Sequence, residues 1–149
     1  MAHVLVAHSD EGVREAAVVA LREEAGHVVA EASCGISALA ALRLSEYPVV
    51  ALMDDRLPPF GGLDILNIAA IDEVGGLFAR HRYVLLSTWG QGIDADGRKL
   101  LQRLDVPVLP EPFELTALIQ AVDKAAAAIC FNRFISVRLP HLRHVEAPC

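Results

Sequence analysis

The sequence predicts an α/β domain, a single doubly wound (βα)5 unit with a five-stranded parallel sheet. Three observations predict it. Short apolar runs alternate along the chain with stretches of helical periodicity. One of those runs, Pro48 to Met53, is apolar on both faces, as a central strand covered by helices must be. The links between runs are short, which for parallel strands requires right-handed helical crossovers. At 149 residues the chain can bury one full core but not a second domain of similar size.

Each element has its own signal. Val4 to Ala7 is the first strand. From Glu11 to Ala25, Val13, Ala17, Ala20 and Leu21 fall on one helical face and Arg14, Glu15, Arg22 and Glu23 on the other, and Gly26 supplies the stop. His27 to Ala32 reads as the second strand, Ile36 to Ser45 as the second helix, and Pro48 to Met53 as the third strand. A third helix runs from Leu63 to about Val74, with Gly61-Gly62 and Gly75-Gly76 as turns. Tyr83 to Leu86 is the fourth strand, Asp94 to Leu104 the fourth helix, and Val106 to Leu109 the fifth strand. The fifth helix covers Glu114 to about Cys130, with Leu115, Leu118, Ile119 and Val122 on one face.

Composition narrows the function classes. No run approaches the length of a membrane span, and the N-terminus lacks the basic lead of a signal peptide. A cytoplasmic address is expected. A net charge of −6 argues against autonomous nucleic-acid binding, which needs a basic face. The three cysteines, Cys34, Cys130 and Cys149, are widely spaced, which suits reduced thiols better than a disulfide frame or a zinc site.

Open sheets of this class bind ligands beyond the carboxyl ends of their strands. The polar residues that end the apolar runs are His8, Ser9 and Asp10, then Asp54 and Asp55, then Ser87 and Thr88, and last Glu111. Topology alone brings these together. Ser87 lacks the Gly-x-Ser-x-Gly surroundings of an activated nucleophile. No Gly-x-Gly-x-x-Gly follows a strand, so no dinucleotide loop is expected.

Leu52-Met-Asp-Asp-Arg-Leu-Pro-Pro-Phe-Gly-Gly-Leu63 resembles the phosphoacceptor segment of the receiver domains of two-component response regulators. So, in order, do 10–15, 24–27, 85–90 and 109–114, and the likeness covers roughly residues 3 to 130. The resemblance implies a flavodoxin-like receiver fold over 1–130, followed by a basic tail at 131–149 and no output domain. It matches Asp54 to the phosphoacceptor, Ser87 to the residue that hydrogen-bonds the phosphoryl group, and Trp89 to a variable residue gating access. Pro112 matches the proline after a lysine, in a bond usually cis. The implied partner is a histidine kinase or another signalling protein, with homodimerisation through residues 94–128, no nucleic acid or membrane partner, and no enzyme activity in its own right.

The departures from the family bear on mechanism. His8 and Ser9 stand where the family has an acidic pair, and Glu111 where it has a lysine. Phosphoryl transfer to an aspartate needs a divalent ion held by hard oxygen ligands. Only Asp54 and a backbone carbonyl near Arg56 remain to supply them, so Mg²⁺ binding is expected to be weak or absent. A charge pair at about 4 Å and an effective dielectric of about 20 is worth roughly 4 kcal/mol, so glutamate at position 111 turns attraction for a phosphoryl group into repulsion of similar size. The switch aromatic of the fifth strand is replaced by Val108.

The expected function is thus a stand-alone atypical receiver, a protein-interaction module with an impaired site made of His8, Ser9, Asp54, Arg56, Ser87, Trp89 and Glu111. One alternative is a working single-domain regulator phosphorylated on Asp54 by a histidine kinase. Another is a small-ligand or transition-metal sensor built from His8, Asp54 and Glu111. Pairing of His8 with Asp54 or Glu111 is the expected geometry.

Overall fold

The structure is a computed structural model that describes residues 1–88 and 92–132. Trp89 and the tail from 133 onward lie outside the described residues. The strands are β1 (His3–Ala7), β2 (Val28–Ala32), β3 (Val49–Asp54), β4 (Arg82–Thr88) and β5 (Val108–Glu111). They form one parallel sheet in the order β2-β1-β3-β4-β5. Between and after them run α1 (Glu11–Val19), α2 (Gly35–Leu44), α3 (Gly62–Ile71), α4 (Leu77–Arg80), α5 (Ala95–Leu104) and α6 (Leu115–Asn132).

Two apolar layers sandwich the sheet, and alternation along each strand assigns side chains to them. Leu5, Ala51, Met53 and Leu85 face α2, α3 and α5 through Ala38, Leu42, Ile65, Leu66 and Leu100. Val4, Val6, Val50, Leu52 and Val84 face α1 and α6 through Ala17, Leu21, Leu118 and Val122. All six residues of β3 are buried, as its unbroken apolar sequence requires.

The helices start where short polar side chains take the free N–H groups of the first turn. Asp10 accepts from Val13 at 3.0 Å, Asp94 from Gly97 at 2.7 Å, and Cys34 Sγ from Ser37 at 3.4 Å. α1 continues into a π-helical turn over Ala20–Glu24, and Gly26 follows at φ +71°.

Several sequence boundaries move. The third helix stops at Ile71 because Asp72 turns the chain, accepting the Gly75 N–H at 3.0 Å, and the four-residue α4 then buries Leu77. Gly61-Gly62 opens α3 instead of forming a free turn, and a β-carbon at Gly61 would overlap the Asp55 carbonyl. β5 lies two residues later than its apolar run, with Pro110 inside it, which an edge strand tolerates. β3 and β4 extend to Asp54 and Thr88, so their polar ends are strand residues. The Glu111–Pro112 bond is cis as expected, and Pro58–Pro59 is cis as well. Cys34 is disulfide-bonded, against the expectation of reduced thiols.

Candidate functional site

The strand order reverses between β1 and β3, so the residues leaving these two strands face one crevice at the carboxyl end of the sheet. His8 follows β1, Asp54 ends β3, Ser87 lies near the end of β4, and Glu111 ends β5. His8, Asp54 and Ser87 are between 4% and 6% exposed, so their polar atoms must find partners within the protein.

His8 organises the crevice. Its Nδ1 accepts the Asp10 backbone N–H at 3.0 Å, which places the ring proton on Nε2. Nε2 donates to Glu111 Oε1 at 2.8 Å and stands 3.7 Å from Asp54 Oδ2. Arg14 Nη1 holds the His8 carbonyl at 2.9 Å while its Nε reaches Glu31 at 3.3 Å, tying the loop after β1 to α1 and β2. Burial, the largest influence, lowers the His8 pKa. The hydrogen bond to Glu111 and the charges of Asp54, Glu111 and Asp10 outweigh it, and the net shift is upward.

Asp54 accepts the Arg56 N–H on Oδ1 at 3.2 Å and the Ser9 hydroxyl on Oδ2 at 3.4 Å. Ser87 does not reach for Asp54. Its hydroxyl donates to Asp55 Oδ2 at 3.0 Å, because the β3–β4 register sets Asp54 beside Leu86 and so brings the next residue to Ser87. Asp55 was expected at this end of the sheet from its place beside Asp54, but without a role in the site. Its Oδ1 is buried and has no hydrogen-bond partner among the described residues. Burial raises the Asp55 pKa, and its carboxylate neighbour Asp54 adds to that, against the lowering effects of Ser87 and Arg56.

Five of the expected pocket side chains, His8, Ser9, Asp54, Ser87 and Glu111, thus meet at the end of the sheet, and Arg56 contributes its backbone N–H. Trp89 lies outside the described residues. A separate cleft of about 380 Å³, lined by His3, Val28, Leu44 and Tyr47, opens at the amino end and shares no residue with the site.

No family model matches the chain, and no curated protein does. Solved structures do. A CheY-like response regulator receiver domain from Methanospirillum hungatei superposes with a TM-score of 0.69 at 23% identity, covering 89% of this chain and 97% of that one. The signal receiver domain of a Luxo repressor protein from Vibrio parahaemolyticus gives a TM-score of 0.75 at 14% identity, covering 92% and 98%. NtrX from Brucella abortus gives 0.71 at 23% identity, with 90% of this chain matching 28% of that one. This chain has the receiver fold.

The resemblance to receivers would bring Mg²⁺ to this crevice. Mg²⁺ takes near-octahedral oxygen ligation, and the crevice sets the Asp54, Asp55 and Glu111 carboxylates beside an imidazole and a hydroxyl at positions 8 and 9, with Nε2–H directed at Glu111 and Asp54. The His8, Asp54 and Glu111 donor atoms lie within 4.8 Å of one another, a spacing compatible with a transition metal. The tautomer opposes that. A ligating imidazole donates from its other nitrogen, and here that nitrogen already accepts the Asp10 N–H.

Proposed function

We propose that this chain is a receiver-type module of two-component signalling that acts by binding protein partners, with ordinary metal-dependent phosphorylation of Asp54 impaired. One observation carries the reading. The His8–Glu111 hydrogen bond occupies the place where acid, metal and lysine would cooperate, and it inverts their polarity. The glutamate is therefore not a stray negative charge in the pocket. It is half of an exchanged pair, base just after β1 and acid at the end of β5. A phosphoryl group on Asp54 would meet Glu111 where a counter-charge is needed.

Partner docking, including any self-association, is assigned to the face formed by α5, β5 and α6 across residues 94–128, where Val108 and Leu115 are exposed. Among the described residues no helix is long and apolar enough to cross a membrane. A second reading, a regulator phosphorylated on Asp54 despite the exchange, draws support from Asp54 itself, which keeps the strand-end position and the Arg56 N–H.

Intact-mass spectrometry after incubation with acetyl phosphate and Mg²⁺ separates the two. The parent chain should stay unlabelled under conditions that label an ordinary receiver. A phosphoryl adduct that Asp54→Asn abolishes would establish the second reading instead. Combining His8→Asp, Ser9→Asp and Glu111→Lys should create Mg²⁺-dependent labelling where the parent has none.

A further inference from the structure

We propose that the free edge of β2 is a self-association surface, on which β2 of a second copy of this chain pairs antiparallel about a two-fold axis and continues the sheet. The edges of the sheet are β2 and β5, and they are not alike. On β5 the Pro107 carbonyl accepts the Leu85 N–H at 3.0 Å, so alternation turns the backbone groups of residues 107, 109 and 111 toward β4 and those of Val108 and Pro110 outward. Pro110 has no N–H to offer there, which blunts that edge against a further strand. β2 has neither proline nor lysine. Its Val28 N–H donates to the Ala2 carbonyl at 2.9 Å and its Ala32 carbonyl accepts the His8 N–H at 3.1 Å, so Val28, Ala30 and Ala32 turn their backbone groups to β1. Val29 and Glu31 therefore turn theirs outward. Of those outward groups, only the Val29 carbonyl has a partner among the described residues, Arg22 Nη2 at 3.1 Å.

The register follows from the same two residues. In an antiparallel ladder, opposed outward residues exchange both hydrogen bonds. Setting Val29 opposite Glu31 of the second copy repeats the pair across the axis, and every outward N–H and carbonyl of both strands is used. Centring the axis on Glu31 would oppose two like charges. Centring it on Val29 would need the His27 N–H, which is already donated to the Leu21 carbonyl at 3.0 Å.

Charge agrees with this register. Directly opposed side chains share a face of the sheet, so Glu31 of the second copy lies on the α1 side beside Val29, where Arg22 is held at the Val29 carbonyl. That carboxylate comes within reach of the Arg22 guanidinium, and the two-fold makes the pair twice. Glu31 keeps the capacity for it, since its side chain is 44% exposed, with Arg14 Nε at 3.3 Å from one oxygen. On the other face Val28 is 46% exposed beside the cleft that β2 forms with Leu44 and Tyr47, and the seam sets Ala32 of the second copy against it. Strands of five residues make a small seam, so the dimer is of the reversible kind.

The test is sedimentation equilibrium of the full chain over a concentration series. The parent should form a concentration-dependent dimer. Glu31→Pro removes an outward N–H while leaving the ladder to β1 intact, and the dimer should be lost. Arg22→Glu and Glu31→Arg each place like charges across the seam, and each alone should dimerise about tenfold more weakly than the parent. Mixed in equal amounts they should regain dimer, because the heterodimer has opposite charges at both pairs, whereas mixing repairs no contact within a single chain. A parent that stays monomeric throughout, a dimer indifferent to Glu31→Pro, or a mixture no more dimeric than its two components would overturn the proposal. None of these readouts involves Asp54, so the proposal stands or falls separately from the functional reading above.

Discussion

His8 and His81 are buried histidines at opposite ends of the sheet, and they use their nitrogens in the same way. In each, Nδ1 accepts a backbone N–H, from Asp10 or from Val49, and Nε2 donates to an oxygen. The oxygens differ. His81 donates to the Leu42 carbonyl at 2.8 Å, a neutral acceptor in the apolar layer, whereas His8 donates to the Glu111 carboxylate with Asp54 close behind. Burial lowers the His81 pKa to about 4, with only the Leu42 hydrogen bond opposing it, while carboxylates lift that of His8 above its ordinary value. One imidazole is a neutral structural strut and the other a proton-responsive part of a site. Burial lowers both, and at His8 alone the neighbouring carboxylates together outweigh it.

The largest test of the contrast is His81→Leu. It strands the buried Val49 N–H and Leu42 carbonyl and should cost about 3 kcal/mol or more in urea unfolding. His8→Leu should cost less, because Glu111 stands at the partly open rim of the crevice, where water can reach it.

The pH dependence should differ in sign. For His81 the folded pKa lies below the unfolded value of 6.5, so the unfolded chain binds more protons between the two. Its contribution is complete above pH 6.5 and is lost as pH falls toward 4, a change of roughly 3 kcal/mol that His81→Gln should remove from a urea-midpoint profile. For His8 the folded pKa is raised, so its contribution is present below pH 6.5 and declines as pH rises through the folded pKa. A matching loss of stability at acid pH in a His8→Gln comparison would break the contrast. Protonating His8 also puts a hydrogen on Nδ1, so the Asp10 amide should shift in nuclear magnetic resonance spectra over the same range.

Glu111→Gln sharpens the same point at smaller scale. It keeps an acceptor for Nε2 but removes the charge, so the His8 titration should move down, with about 1 kcal/mol or less lost in stability. Zinc should leave the His8 ring resonances unmoved, since coordination requires the proton to occupy the nitrogen facing Asp10. The smallest effect is expected for Ser87→Ala. It removes a donor from Asp55 Oδ2, raising that carboxyl further at a cost of about 1 kcal/mol.

The fold was legible because burial on two faces writes itself into composition. The apolar run ending at Met53 marks a central strand, and the periodicity from Val13 to Leu21 marks a helix beside it. What failed were features set by single contacts. Asp72 ended α3 through one turn bond, and Pro110 lay inside a strand whose edge position sequence could not reveal. In the site, Asp54, His8 and Glu111 were legible because each ends an apolar run. The Ser87–Asp55 bond was not, since it depends on how β3 and β4 are registered. The disulfide at Cys34 escaped because cysteine spacing alone carried no signal for it.

The exchanged pair also restricts the routes by which this crevice can change. Moving it toward an acid at position 8 and a lysine at 111 takes one substitution at each, and the two orders are not equivalent. His8→Asp first sets a new carboxylate against Glu111 and beside Asp54, three acids with no cation between them. Glu111→Lys first leaves an ammonium beside an imidazole that can remain neutral and an aspartate that welcomes the charge. The His8–Glu111 hydrogen bond therefore also sets the order in which this crevice can be changed one step at a time.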